Sequence, residues 1–143
     1  MIKITLIDNQ SLIRESLGYL LEQDPEIKVL QKLSCDASSL AEIKISQTDM
    51  IIIDPQFRTK HSFEVLNQLF QLDKPIKILV LSLHIDAVLT KKWLETGVSG
   101  IVAKDCSIHE LIRAIKTISA GNYHLCPNIA HSIALQGLLK TEA

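Results

Sequence analysis

Four residues of this chain combine a nucleophile with groups able to neutralise an incoming anion: Asp8, Asp54, Ser82 and Lys104. Each stands at the end of a short apolar run. Asp8 follows Ile2 to Ile7 and has Asn9 beside it; Asp54 follows Met50-Ile51-Ile52-Ile53; Ser82 follows Ile76 to Leu81; Lys104 follows Gly100 to Ala103. A carboxylate, a second acid, a hydroxyl and an amine gathered at one edge suit transfer of a phosphoryl group to a carboxylate. Asp54 would attack phosphorus and become an aspartyl phosphate. Such a transfer asks chiefly for positioning and charge neutralisation. A Mg²⁺ ion held by Asp8 and Asp54 would supply part of that, because magnesium takes oxygen ligands and keeps several waters. Lys104 would pair with one phosphate oxygen and Ser82 would hydrogen-bond to another. Asp54 after three isoleucines has few purely structural explanations, since buried carboxylates are rarely left unpaired. Asp8 and Asn9 have a plainer alternative as helix caps.

The elements that must position these groups alternate. Ile2 to Ile7, Ile27 to Leu33, Met50 to Ile53, Ile76 to Leu81 and Gly100 to Ala103 read as strands. The all-apolar run at Met50 to Ile53 marks a central strand buried on both faces. Helices are expected at Leu12 to Leu21, where Leu12, Ile13, Leu17, Leu20 and Leu21 share helical spacing, at Ser38 to Ile45 behind an Asp36 cap, at Phe63 to Phe70, and at Ala87 to Thr96, ended by Gly97. Ser107-Ile108-His109-Glu110 is a capping box that opens a fifth helix, which Gly121 closes. Five strands and five helices in strict alternation imply a parallel sheet covered on both faces. In such sheets ligands bind outside the carboxyl ends of the strands, where Asp8, Asp54, Ser82 and Lys104 fall. After Gly121 the repeat breaks: Tyr123 to Pro127 reads as a loop and Asn128 to Leu139 as one more helix.

Bulk properties narrow the function. A chain of 143 residues, 47% hydrophobic, suits one domain with a substantial core. A net charge of −1 gives no basic excess, so direct nucleic-acid binding by this chain is not expected. No apolar run approaches the roughly 20 residues of a membrane span, and the N-terminus lacks the build of a signal peptide. Cys35, Cys106 and Cys126 are an odd number without paired spacing, which favours reduced thiols in a cytoplasm. Cys106, His109, His124 and Cys126 lack the two tight ligand pairs of a structural zinc site.

The sequence resembles the receiver domains of two-component response regulators, in particular the NarL/FixJ (LuxR-type) subgroup. The resemblance runs from Ile2 to about Pro127. It is carried by Leu6-Ile7-Asp8-Asn9, by Ile51-Ile52-Ile53-Asp54, by Val80-Leu81-Ser82-Leu83-His84, and by Glu95-Thr96-Gly97-Val98-Ser99-Gly100 leading to Ala103-Lys104-Asp105. Each motif alone is weak; four in order at family spacing are strong. The resemblance implies a flavodoxin-like (CheY-like) doubly wound sheet of five parallel strands, order 2-1-3-4-5, with five helices. It implies Asp54 as phosphoacceptor, Lys104 and Ser82 as its assistants, and Mg²⁺ on Asp8, Asn9, Asp54 and the backbone carbonyl of Gln56. It further implies a sensor histidine kinase as donor, a possible homodimer, and a surface about Ala87 to Ser119 that answers phosphorylation. Residues 1–121 would be the receiver and 122–143 a linker or helix. The helix-turn-helix output domain usual in this subgroup would not fit before Ala143.

Three departures matter. Asn9 replaces the second acid of the first motif, and the loss of one negative charge weakens Mg²⁺ binding. Pro55 follows the phosphoacceptor directly, fixing φ there, and Arg58 adds a positive charge nearby. Ile101 stands where the family often has a switching aromatic. These departures favour a rival reading, a phosphorylation-independent pseudo-receiver used for interaction or dimerisation. A small hydrolase is a third, but no second acid stands two residues after Asp54 to act as general acid/base.

Overall fold

The computed structural model describes residues 1–36, 40–55, 60–72, 74–83, 85–127, 129–131 and 133–135. In chain order these form β1 (Ile2–Ile7), α1 (Ser11–Glu22), β2 (Ile27–Leu33), a 3₁₀ turn (Ile45–Gln47), β3 (Met50–Ile53), α2 (Lys60–Phe70), β4 (Lys77–Ser82), α3 (Ala87–Thr96), β5 (Gly100–Ala103), α4 (Ile108–Ser119) and β6 (His124–Leu125). Helical residues follow between 127 and 135. Among the described residues, no helix is long and apolar enough to cross a membrane.

The strands form one parallel sheet in the order β2-β1-β3-β4-β5-β6. The expected order 2-1-3-4-5 is present, but the expectation of five strands is corrected to six. His124–Leu125, expected as loop, pairs with Gly100 and Ile101. The close approach depends on Gly100: a Cβ there would come within 2.6 Å of Ile118 Cδ1 and 2.9 Å of the His124 carbonyl oxygen.

Alternation along the strands divides the core between the two faces. Ile51, Ile53, Ile78, Val80 and Ile101 pack with Val65, Leu66, Leu69 and Trp93 on one side. Ile4, Leu6, Ile52, Leu79 and Val102 pack with Leu21, Leu111, Ala114, Ile115 and Ile118 on the other. All four residues of β3 are buried, as its apolar run requires. Cys126, Ile129 and Ile133 extend the first cluster beyond α4.

Caps account for the helix ends. Asp86 and Ser107 accept from the amides of Leu89 and Glu110, and Gly97 ends α3 at φ 107°. The helix expected at Ser38 to Ile45 is not seen over its second half. Leu40 is helical and donates to the Asp36 carbonyl, but a turn follows at 41–42. The Gln31 side chain explains the stop: it donates to the Glu42 carbonyl and accepts from the Lys44 amide, so this stretch bonds to β2 instead of to itself. Ser38, Ser39 and the start of that segment lie outside the described residues.

Candidate functional site

The ladder of the sheet continues one residue past β1 and β3. Asp8 donates its backbone N–H to the Leu33 carbonyl, and Asp54 donates to Ile7, each at 3.0 Å. Lys104 donates in the same way to Ser82 at 2.9 Å. The site residues are therefore set by strand register, on rigid backbone. Ser82 is the last residue of β4, one position inside the strand end expected from sequence.

Lys104 is the centre of the arrangement. Its Nζ lies 2.7 Å from Asp54 Oδ2, 2.7 Å from Asp8 Oδ2 and 3.0 Å from Gln10 Oε1. The Lys104 side chain is only 6% exposed. Burial alone would lower its pKa, but hydrogen bonds with Asp54 and Asp8 outweigh burial and raise it above the usual lysine value. Asp8 Oδ1 also accepts from the Gln10 amide at 2.8 Å, which orients the carboxylate and supports the start of α1 in place of a side-chain cap at Gln10.

Ser82 is 1% exposed, and its Oγ has no hydrogen-bond partner among the described residues. A buried orphan hydroxyl costs on the order of 1–3 kcal/mol, so its retention suits a ligand atom that completes it.

Asn9 makes a contact of its own. Its Oδ1 accepts from the backbone N–H of Cys35 at 2.6 Å, tying the end of β1 to the loop after β2. Cys35 is buried close by, and its thiol is pushed up to about 11 by burial and then by the negative charges of Asp54, Asp36 and Asp8. Ile101 is fully buried in the core. Gln56, Arg58 and His84 lie outside the described residues.

The donors offered to a cation are oxygens. Two carboxylates converge on one ammonium, so the same point lies within reach of both for a hard divalent cation that keeps several waters. The set is poorer than three acids: among the described residues no group of three or more His, Cys, Asp or Glu side chains is placed to hold a metal. The chemistry of the donors fits Mg²⁺, with Asp8 and Asp54 as the residues that would hold it.

Sequence reasoning missed two participants. Gln10 follows the first acidic motif directly and reaches Lys104. Arg14 lies four residues further on in α1, where a helical side chain leans back over the preceding turn. Its Nη1 donates to the Asp8 carbonyl. A cation interrupting the apolar stripe of Ile13 and Leu17 was the available signal.

Known proteins agree with this geometry. The family model for the response regulator receiver domain matches residues 4–116. The transcriptional regulatory protein UhpA of Salmonella typhimurium is 31% identical over 134 residues, which are 94% of this chain and 67% of that protein. The transcriptional regulatory protein DegU of Brevibacillus brevis is 28% identical over 132 residues, 92% of this chain and 56% of the relative. The chain thus spans a little over half to two thirds of these curated relatives. A crystal structure of a LuxR-family two-component response regulator from Aurantimonas sp. SI85-9A1 superposes with a TM-score of 0.86 at 26% identity, covering 95% of this chain and 97% of that one. The chain belongs to the receiver domain family of two-component response regulators, and its relatives are regulators of the NarL/FixJ type.

Proposed function

We propose that this chain receives a signal as a phosphoryl group on Asp54. The observation that carries the reading is the meeting of Asp54 and Asp8 at the Lys104 ammonium, both at 2.7 Å. An Asp54 carboxylate oxygen forms the new bond to phosphorus, and the donor's bond to phosphorus breaks with its electron pair leaving on the donor. For a sensor histidine kinase the leaving group is the imidazole. Mg²⁺, when bound by Asp8 and Asp54, supplies charge neutralisation. Lys104 exchanges carboxylate partners for a phosphoryl oxygen, and Ser82 donates to another.

Residues 1–121 act as the receiver in this reading, and 122–143 as the segment leading toward an output function. Phosphorylation shifts the domain between two states and so controls homodimerisation or a transcriptional output, in a cytoplasmic setting. The names of the relatives support a transcriptional role, and the net charge of −1 supports leaving DNA contact to another module.

The second reading, a phosphorylation-independent pseudo-receiver, is favoured by one specific observation. Asn9 is engaged by Cys35 instead of completing a third acid. One experiment separates the two. Wild type and Asp54→Asn are titrated with Mg²⁺, treated with a small-molecule phosphodonor and read by intact mass. A Mg²⁺-dependent gain of one phosphoryl group on wild type alone is expected. Its absence, together with no detectable Mg²⁺ binding, would establish the pseudo-receiver.

A further inference from the structure

Among the described residues, Arg14 is a cation near the acids to which the phosphoryl-transfer reading gives no role. Its Nη1 donates to the backbone carbonyl of Asp8. Its Nε is buried and has no hydrogen-bond partner among the described residues. With Asp8, Asp54, Ile13 and Leu81 it lines a void of about 10 Å³. The guanidinium is charged at every accessible pH. It therefore stands as a permanent positive charge on the same small void as the two acids.

Among the described residues that meet at the two acids, Lys104 and Arg14 carry positive charge. A divalent cation is drawn by net negative charge, and both of these side chains oppose its entry. The two internal cations differ in kind. Lys104 is held by side-chain bonds on a flexible stem and can turn to a phosphoryl oxygen. Arg14 is fastened to the backbone just past β1, at the Asp8 carbonyl.

We propose that Arg14 is a positioning residue that holds down the divalent-cation affinity of the Asp8–Asp54 pocket. This rests on the reading of that pocket as a cation- and phosphoryl-accepting site. The consequence is specific: Mg²⁺ is a transient visitor that arrives with the phosphoryl group, and the resting pocket is closed by Lys104. Removing the Arg14 charge opens the resting pocket to the metal, whereas removing only its hydrogen-bonding shape does not.

The test is Mn²⁺ binding to the full chain, read by loss of the free-ion signal in electron paramagnetic resonance. Wild type, Arg14→Gln, Arg14→Lys and Asn9→Asp are compared, with far-ultraviolet circular dichroism and Trp93 emission as checks of folding. Arg14→Met, which keeps the aliphatic stem, replaces Arg14→Gln if the latter does not fold. Arg14→Gln is expected to bind about tenfold more tightly than wild type, the scale of one screened unit charge near a dication. Arg14→Lys is expected to stay near wild type. Weaker or unchanged binding in Arg14→Gln, while Asn9→Asp binds, overturns the role of Arg14 and leaves the proposed function standing. No Mn²⁺ binding by any of the proteins, Asn9→Asp included, overturns both.

Discussion

The Lys104 ammonium lies 2.7 Å from Asp54 Oδ2, although the two residues are fifty positions apart and neither belongs to a regular element. What brings them together is the parallel register of β3, β4 and β5: Ile53 lies level with Val80, and β4 and β5 end together two residues further on, at Ser82 and Ala103. Their pairing, shared with Asp8, makes Lys104 the keystone of charge in the resting site.

Replacing Lys104 with Met should therefore destabilise the fold when divalent cations are absent. It leaves two carboxylates facing each other in a largely dry site, a change that costs roughly 3–5 kcal/mol when a buried pair is broken. Millimolar Mg²⁺ should recover part of the loss in Lys104→Met and add less to wild type. Urea unfolding with and without Mg²⁺ measures both. The pH sign is also set. The folded-state pKa of Lys104 is raised, so its contribution is fully present below about 10.5 and is lost as pH climbs through the folded value. Wild type should lose more stability across that alkaline window than Lys104→Met. Equal losses would contradict the assignment.

Asn9 should matter to stability more than its exposure suggests. Its Oδ1 satisfies the amide of Cys35, a buried residue. Asn9→Ala removes that acceptor and should cost about 1–2 kcal/mol in chemical denaturation. Asn9→Asp keeps an acceptor oxygen in place and should cost much less. If both variants unfold alike, the Asn9–Cys35 bond is not what the residue contributes.

Much of this site was legible in the sequence because strand ends are legible. A run such as Met50 to Ile53 can only be a central strand, and the residue after it must emerge at the carboxyl edge. That logic puts Asp8, Asp54, Ser82 and Lys104 at the carboxyl edge, and the structure brings the first, second and fourth of them together. It failed where the decisive partner is remote and irregular. No local pattern tells that the Asn9 side chain accepts from the Cys35 amide, and Gln31 stops a helix whose own residues favour continuing. β6 was missed because two residues carry no periodicity. Its only trace was Gly100, which reads equally as a turn residue.

That trace can be tested. Gly100→Ala places a Cβ within 2.9 Å of the His124 carbonyl oxygen and 2.6 Å of Ile118 Cδ1. The methyl of Ile118 can turn away, but the backbone of β6 must shift. A loss of about 1–3 kcal/mol is expected. Hydrogen exchange should localise it, with faster exchange at the amides of His124 and Cys126, which donate to Ser99 and Ile101. Uniform acceleration across the sheet would instead mean that β6 is not a separable edge.

His124 should also make that edge acid-sensitive. Burial holds its pKa below the usual histidine value, with Glu110 opposing and Arg113 reinforcing the shift. Its Nε2 is buried and has no partner among the described residues. The unfolded chain therefore takes up the proton more readily, and stability contributed by neutral His124 is lost as pH falls below about 6.5. The midpoint of thermal unfolding should drop more for wild type than for His124→Leu between pH 7.5 and 5.5. A parallel drop in both proteins would place the acid sensitivity elsewhere.

Ser82 separates structure from function most sharply. Its hydroxyl is buried and pays a desolvation cost for no internal bond, so Ser82→Ala should be neutral or stabilising by up to about 1 kcal/mol. In phosphoryl transfer the same hydroxyl gains a partner, an oxygen of the transferring group. Losing one such donor should slow phosphorylation of Asp54 by a small-molecule donor at least tenfold. Ser82→Thr keeps the hydroxyl and should retain most of the rate. The measurement pairs urea unfolding with a time course of phosphoryl incorporation by intact mass. A stability loss in Ser82→Ala with an unchanged rate would make Ser82 a packing residue, because a hydroxyl that holds the fold together cannot also be waiting for a ligand.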